Sequence, residues 1–177
     1  APDHVGHHTR GRLSHEDVRD RTIKWFQDKY HVDSAQAMRV EETVLRMLDQ
    51  AEHDWQLDNE WASRSLRWAA RLHEVGLAIN HTGYHKHGAY LVRNAHMAGF
   101  SRDEQQILAA IIGSQRRKLR NEVFSELSTN VIDHVAKLCV LFRLAVRLNR
   151  NRDTELPVFA LRVKKKNGYF SRDKPTK

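Results

Sequence analysis

The sequence contains one cysteine, no apolar run long enough to cross a bilayer, and no glycine-rich phosphate loop. The single thiol, Cys139, excludes an internal disulfide, and its apolar helical surroundings are typical of a small buried hydrophobe in a reducing compartment. A membrane span needs roughly 18 apolar residues in succession, and residues 1–12 are polar, so the sequence predicts neither an anchor nor an export signal. We therefore expect a cytoplasmic chain with no membrane partner.

Aromatic residues make up 8% of the chain and are sparse where the basic residues concentrate. Between residues 114 and 152 the aromatic side chains are Phe124 and Phe142. Because proteins hold single-stranded nucleic acid by stacking its bases on aromatic rings, this shortage disfavours nucleic acid as a partner relative to a base-free polyphosphate chain.

The charge of the chain, +8 overall, is unevenly placed. Twelve of the 22 acidic residues fall between residues 14 and 60, whereas residues 114–152 carry nine Lys and Arg against three acidic residues. A positive half attracts polyanions such as nucleic acid, polyphosphate and highly phosphorylated nucleotides. Two simpler interpretations stay open: a solvated basic face without a ligand, and intramolecular pairing with the acidic first half.

Helical periodicity dominates the 177 residues, a length that suits one domain. Asp33 with Gln36, and Ser101 with Glu104, have the spacing of N-terminal helix caps. These pairs predict the starts of two helices.

Later segments complete the prediction. A helix from about residue 59 to 79 places His73 on its core-facing side, and a short helix is expected after it, from about residue 87 to 94. The last helix, about residues 129–149, buries an apolar face and carries a stripe of arginines on another. After Pro157, residues 158–163 are rich in strand formers but have no second strand with which to pair.

The block Leu-His-Glu-Val-Gly at residues 72–76 is followed by His-Lys-His at residues 85–87. It is the most specific part of four stretches over which the sequence resembles the C-terminal half of the exopolyphosphatase/guanosine pentaphosphate phosphohydrolase family. The similarity runs from residue 11 to about residue 163 in order and spacing. The four stretches are residues 11–21, 30–40, 66–76 and 79–90.

The resemblance implies a helical domain similar to the HD (His-Asp) phosphohydrolases. In the family this domain follows two N-terminal domains of the actin-like ATPase fold, which carry the hydrolytic site. We therefore expect a catalytic glutamate and its Mg²⁺ on residues that this sequence lacks, and no cofactor in this fragment. The helical domain is linked in the family to dimerisation and to holding the long anionic substrate. The implied partners are inorganic polyphosphate or a phosphorylated guanine nucleotide, the N-terminal catalytic domains of the same chain, and a second copy in a homodimer.

We accordingly predict an all-α fold, a helical bundle similar to HD phosphohydrolase domains, with a truncated strand near the C-terminus. The predicted division is a flexible N-terminal segment at residues 1–12, an HD-like helical domain at residues 13–155, and a truncated strand with a disordered basic tail at residues 156–177.

The metal-ligand pattern of HD phosphohydrolases is incomplete in this sequence. A dinuclear site needs a first His, a His-Asp pair, later His ligands and a distal Asp, because two cations require several carboxylate and imidazole donors. His73 matches the histidine of the His-Asp pair in this pattern, but too few other donors match for a tight metal site. We therefore expect His73 and Glu74 to form a buried hydrogen-bonded pair. Glu74 would be held by an arginine such as Arg71 or by a backbone donor. The substituted positions are Gln36, Glu74, Gln115 and Val146.

Basic side chains form the predicted polyphosphate-binding site, because arginine forks fit phosphate geometry and a row of them suits a repeating polymer. The histidine-rich loop that includes His81 can donate hydrogen bonds to phosphoryl oxygens, or it is a solvent-exposed polar loop. The predicted binding residues are His85, Lys86, His87, Arg116, Arg117, Lys118, Arg120, Arg143, Arg147, Arg150 and Arg152.

The leading functional hypothesis is the C-terminal domain of an exopolyphosphatase-type phosphohydrolase, whose full-length form releases terminal phosphate from polyphosphate or guanosine pentaphosphate. This fragment is then expected to bind polyphosphate, to mediate dimerisation, or both, without hydrolysing by itself. Two alternatives stay open. One is an active metal-dependent HD phosphohydrolase that uses His73, Glu74 and His85 or His87, and the other is a purely structural dimerisation module.

Overall fold

The computed structural model describes residues 7–117 and 121–164, with side chains from residue 18. Over these residues the structure is all-helical and has no strand, which confirms the predicted fold class. The helices are α1 (His7–Lys29), α2 (Ser34–Trp55), α3 (Asn59–Leu72), a 3-10 helix (Val75–Ala78), α4 (Tyr84–Asn94), α5 (Arg102–Gly113), a second 3-10 helix (Asn121–Phe124) and α6 (Thr129–Leu148).

Two predicted helix caps are confirmed. The Asp33 carboxylate accepts a hydrogen bond from the backbone N–H of Gln36 at 3.1 Å and starts α2. The Ser101 hydroxyl accepts one from the backbone N–H of Glu104 at 3.1 Å and starts α5. Because the first N–H groups of a helix have no partner within the helix, these side chains fix both starts locally.

The predicted division of the chain stays a prediction. Helix α1 begins at His7, inside the segment that the sequence separates as residues 1–12. Residues 1–6 and 165–177 lie outside the described residues. The boundaries at residues 13 and 156, and the disordered basic tail, therefore stay predictions.

The core lies between α2, α3, α5 and α6. Helix α2 packs on α3 and α6, α3 packs on α5, and α5 packs on α4. Fully buried side chains from these elements include Met47, Leu66, Ile111 and Phe142. Among the described helices, none combines the length and the apolar content that crossing a bilayer requires.

Cys139 lies within this core on α6. Its side chain is fully buried, and burial raises the pKa of the thiol to about 12, with a hydrogen bond from the Ser114 side chain acting in the opposite direction. The thiol therefore stays protonated at neutral pH and behaves as a small hydrophobe, as the sequence predicts.

Helix α3 is shorter than predicted, because the chain turns at residue 73 instead of continuing to residue 79. Gly76 lies in the 3-10 helix that follows, against the backbone of α4. A Cβ atom built at Gly76 would lie 2.6 Å from the amide nitrogen of Gly88 and would collide with the carbonyl oxygen of Tyr84. This close approach places α4, which begins at Tyr84, three residues before its predicted start, directly beside the end of α3.

The predicted truncated strand near the C-terminus is wrong. The described part of the C-terminal segment, residues 156–164, has no regular secondary structure. Phe159, Leu161 and Val163 pack partly against the core, and the backbone N–H of Leu161 donates to the side-chain oxygen of Gln50 on α2 at 2.6 Å. The alternating apolar pattern thus serves packing on a helix, since no second strand is present in the described chain.

Candidate functional site

A cavity of about 620 Å³ opens where the end of α3, the start of α4, the end of α5 and the C-terminal half of α6 come together. The five positions of the incomplete metal pattern line it, and so do six of the arginines predicted to bind polyphosphate. The lining residues are Gln36, His73, Glu74, Leu77, His81, Tyr84, Gln115, Arg116, Arg117, Arg143, Val146, Arg147, Arg150 and Arg152.

His73 lies at the buried side of the cavity and is 1% exposed. Its Nδ1 is 2.6 Å from the carbonyl oxygen of Ala70, and because a carbonyl only accepts, Nδ1 carries the proton. Burial lowers the pKa of His73, while the negative charge of Glu74 acts in the opposite direction. The imidazole is therefore neutral, and its Nε2 keeps a free lone pair 3.9 Å from the carboxylate of Glu74.

Gln36 and Gln115, two of the positions predicted to be substituted in the metal pattern, both donate from their side-chain amides to backbone carbonyls. The amide nitrogen of Gln36 donates to the carbonyl oxygen of Asn149 at 2.9 Å, and its oxygen accepts from Arg39 at 3.0 Å. The amide nitrogen of Gln115 donates to the carbonyl oxygens of His73 at 2.8 Å and Ile112 at 3.0 Å. Gln36 is fully engaged as a structural residue, whereas the side-chain oxygen of Gln115 has no partner in the described residues.

Glu74 is 6% exposed and is paired with Arg152, which follows α6. The same guanidinium binds Asp33, the cap of α2, at 3.0 Å. Burial opposes the charge of Arg152, but the two carboxylates outweigh it and raise the pKa of Arg152. The expectation that Arg71 holds Glu74 is wrong, because Arg71 pairs with Glu41 at 3.1 Å.

Five further arginines form the rim of the cavity, a name used below for Arg116, Arg117, Arg143, Arg147 and Arg150. All are exposed or half-buried, and within the described chain none of the five lies within salt-bridge distance of a carboxylate. Six arginines and one carboxylate, that of Glu74, line the cavity, so its field is strongly positive.

Other predicted binding residues are placed away from the cavity lining. His85 is 3% exposed, its Nδ1 has no partner among the described residues, and burial, together with the charges of Arg116 and Lys86, lowers its pKa. Lys86 is exposed, and His87 is half-buried with its Nε2 3.1 Å from the carbonyl oxygen of Thr82. Lys118 and Arg120 lie outside the described residues.

The sequence gives no indication of one lining residue, Tyr84. It lies at the first position of α4, and the guanidinium of Arg116 lies over its ring, 5.2 Å from the centroid. Burial raises the pKa of Tyr84, so its hydroxyl stays protonated at neutral pH. The close packing of α4 at Gly76 brings this ring to the cavity, and no local sequence signal marks it.

The residues of the cavity do not fit a tight dinuclear metal site. His73 and Glu74 supply one imidazole and one carboxylate, Gln36 and Gln115 use their amides in hydrogen bonds, and Val146 offers no donor. Over the ranges that the structure describes, no three His, Cys, Asp or Glu side chains come together where they could hold a metal ion. Arg152 supplies the positive charge that balances Glu74.

The chain is similar to proteins of a known family. Residues 18–171 match the model of the Ppx/GppA phosphatase family, domain III. A curated relative, the guanosine-5'-triphosphate,3'-diphosphate pyrophosphatase of Pseudoalteromonas translucida (strain TAC 125), is 39% identical over 154 residues, which are 86% of this chain and 31% of the relative. The chain thus spans about a third of the length of that relative. The protein therefore belongs to the Ppx/GppA phosphatase family, to whose domain III this chain corresponds.

Proposed function

We propose that this domain binds the phosphate groups of inorganic polyphosphate or of a phosphorylated guanine nucleotide in the arginine-lined cavity, and that it does not hydrolyse them by itself. The observation that carries the proposal is the convergence of six arginines on one cavity, five of them without a carboxylate partner in the described chain. The similarity to a guanosine-5'-triphosphate,3'-diphosphate pyrophosphatase favours a phosphate-rich substrate.

The rim has the chemistry to hold a chain of phosphates. Guanidinium groups make paired hydrogen bonds to phosphate oxygens, and several of them in one concave surface act together on a chain of phosphates. Arg143 and Arg147 lie one helical turn apart on α6, while Arg116 and Arg117 face them from the end of α5. Such clustering of like charge opposes folding unless an anion is bound, so it supports a binding role.

Hydrolysis by this domain alone is disfavoured by the shortage of metal ligands. A metal phosphohydrolase lowers the pKa of a bound water and stabilises the leaving phosphate through its cations. The cavity offers His73 and Glu74 for that purpose, and Arg152 already pairs with Glu74. We propose that hydrolysis, with the Mg²⁺ expected for the full-length enzyme, belongs to the part of the protein that this chain does not include.

The decisive experiment is a titration of the purified domain with inorganic polyphosphate at several salt concentrations. Binding should weaken steeply with salt, because neutralised phosphates release counterions. The double substitution Arg116→Ala with Arg117→Ala should weaken binding about tenfold or more, since two charge-assisted contacts are lost. The matched control is Arg21→Ala with Arg162→Ala, two exposed arginines outside the cavity, which should bind as the unchanged domain does. Equal affinities for both double variants would refute the proposal.

Two other functions have their own readouts. Near-stoichiometric Mn, Fe or Zn in the purified domain, with a phosphatase activity that a chelator removes, would favour an active HD phosphohydrolase. Pairing with a second copy is a separate expectation, which sedimentation at high and low salt tests. A dimer that persists in high salt without any polyphosphate affinity would favour a purely structural module. Cell fractionation tests the expected cytoplasmic location.

A further inference from the structure

The turn that follows α6 carries two of the arginines that line the cavity. Helix α6 ends at Leu148, and Arg150 and Arg152 come directly after it. The backbone of Arg152 has a φ of 58°, a left-handed conformation that residues other than glycine rarely adopt. Such a conformation persists only where the surrounding structure imposes it. The contacts that hold this turn therefore decide where both guanidinium groups lie.

Asn149 is the residue at which the turn begins. It is 3% exposed and is not among the residues that line the cavity. Its side-chain amide nitrogen donates to the hydroxyl of Thr43 at 2.9 Å and to the carbonyl oxygen of Ala145 at 2.9 Å. Both hydrogens of the amide are thus used, one on α6 and one on α2.

The backbone carbonyl oxygen of Asn149 connects the same two parts of the molecule. It accepts from the side-chain amide of Gln36 on α2 at 2.9 Å and from the backbone N–H of Arg152 at 3.1 Å. One oxygen thus joins α2 directly to the strained residue. Gln36 and Thr43 are 3% and 0% exposed, so these hydrogen bonds are shielded from water and hold a defined geometry.

A helix end needs less than this network provides. The last carbonyl groups of a helix can be satisfied by water or by a short local turn. The side chain of Asn149 instead reaches Thr43, 106 positions away in the sequence, and both partners are buried. The network therefore fixes the position of the turn relative to α2, which also supplies Gln36 to the cavity lining.

We propose that Asn149, held by Thr43 and Gln36, is a positioning residue for anion binding: it sets the turn that places Arg150 and Arg152 at the cavity, without touching the ligand. This inference rests on the proposed function and concerns how the same site is held. Paired hydrogen bonds from a guanidinium to phosphate depend on its orientation, so a turn that moves loses affinity even when every arginine is present.

Two substitutions of Thr43 separate positioning from stability. Thr43→Val keeps the shape of the side chain and removes the hydroxyl that accepts from Asn149, whereas Thr43→Ser keeps the hydroxyl and removes a methyl group. Both should lower the melting temperature, because one leaves a buried donor without a partner and the other leaves a small cavity. Affinity for inorganic polyphosphate, measured by isothermal titration at one ionic strength, should fall about fivefold for Thr43→Val and change less than about twofold for Thr43→Ser.

A double-mutant cycle tests whether the effect passes through the turn. In an Arg150→Ala background, the loss of affinity caused by Thr43→Val should shrink, because one of the guanidinium groups that the turn positions is already absent. Arg116→Ala provides the matched background, since Arg116 also lines the cavity but follows α5 and is not on the turn. In that background the full loss caused by Thr43→Val should remain.

The outcomes separate this inference from the proposed function. Equal affinities of Thr43→Val and Thr43→Ser for polyphosphate would overturn the inference and leave the proposed function standing. A loss of the same size in the Arg150→Ala and Arg116→Ala backgrounds would also overturn it, because the effect would then not depend on the turn. If the unchanged domain binds no polyphosphate, both the proposed function and the inference are refuted.

Discussion

Arginines in the two halves of this domain have different surroundings. In the first half, Arg19 pairs with Glu104 at 3.2 Å, and Arg71 pairs with Glu41 through two hydrogen bonds. The rim arginines of the second half have no carboxylate within reach in the described chain. Arg152 is the exception of the second half, because it reaches Asp33 and Glu74. Carboxylates therefore neutralise Arg19 and Arg71, whereas the rim stays positive.

The strongest test of this difference is to remove rim charge. Arg143→Ala with Arg147→Ala should weaken phosphate-ligand binding about 100-fold, or about 2.7 kcal/mol, since each lost guanidinium removes a charge-assisted contact. The free energy of unfolding should change by less than about 0.5 kcal/mol, because neither side chain has an ion-pair partner to lose. Urea denaturation and calorimetric titration measure the two effects. A large loss of stability with unchanged binding would reverse the assignment.

Arg152, which is paired with Asp33 and Glu74, should behave as a structural residue. Arg152→Gln leaves the nearly buried carboxylate of Glu74 without its cation, so the free energy of unfolding should fall by about 2 kcal/mol. Arg150→Gln is the matched control, because Arg150 is exposed and has no carboxylate partner in the described chain; its stability should be unchanged. Both are measured by urea denaturation, and equal stabilities would show that the pair with Glu74 contributes nothing.

A paired arginine of the first half should give a smaller effect. Arg71→Ala should lower the free energy of unfolding by about 1 kcal/mol, because a two-point pair with Glu41 is lost while Arg67 still reaches that carboxylate at 3.2 Å. Polyphosphate affinity should stay the same, since Arg71 is not part of the cavity. A loss of affinity in titration would place Arg71 among the binding residues.

The smallest effect is a dependence of stability on pH. The backbone N–H of Gln36 and, after it, the charge of Arg152 lower the pKa of Asp33 from 3.8, although burial acts against them. A carboxyl whose pKa is lower when folded contributes stability above its unfolded pKa and loses it as the pH falls toward its folded pKa. Asp33→Asn retains a capping oxygen but removes the charge, so the decline in stability below about pH 4 should be shallower. Identical pH profiles would exclude this contribution.

Local signals were sufficient for the starts of α2 and α5. Asp33 and Ser101 cap α2 and α5 as their spacing predicts, because a cap depends on three neighbouring residues. The end of α3 was missed, since it is set by the approach of α4 to Gly76, a tertiary contact. The C-terminal strand was wrongly predicted for a similar reason: its alternating pattern indicates extended chain, and the sequence does not show that its neighbour is a helix.

The site was predicted in two separate parts, which the structure brings together. The residues of the incomplete metal pattern and the arginines were expected to have different roles, yet they line the same cavity. The partner of Glu74 could not be deduced, because Arg152 is 78 positions away in the sequence. His85, in contrast, was predicted to contact phosphate but is buried and does not line the cavity.

The inert thiol in the core has a practical consequence. Maleimide and iodoacetamide reagents need a thiolate, and Cys139 is both fully buried and protonated at neutral pH. A cysteine introduced beside the rim would therefore be the one position that takes a fluorophore in the native protein. Labelling chemistry needs no cysteine-free background, and an optical reporter of occupancy can be attached in a single step.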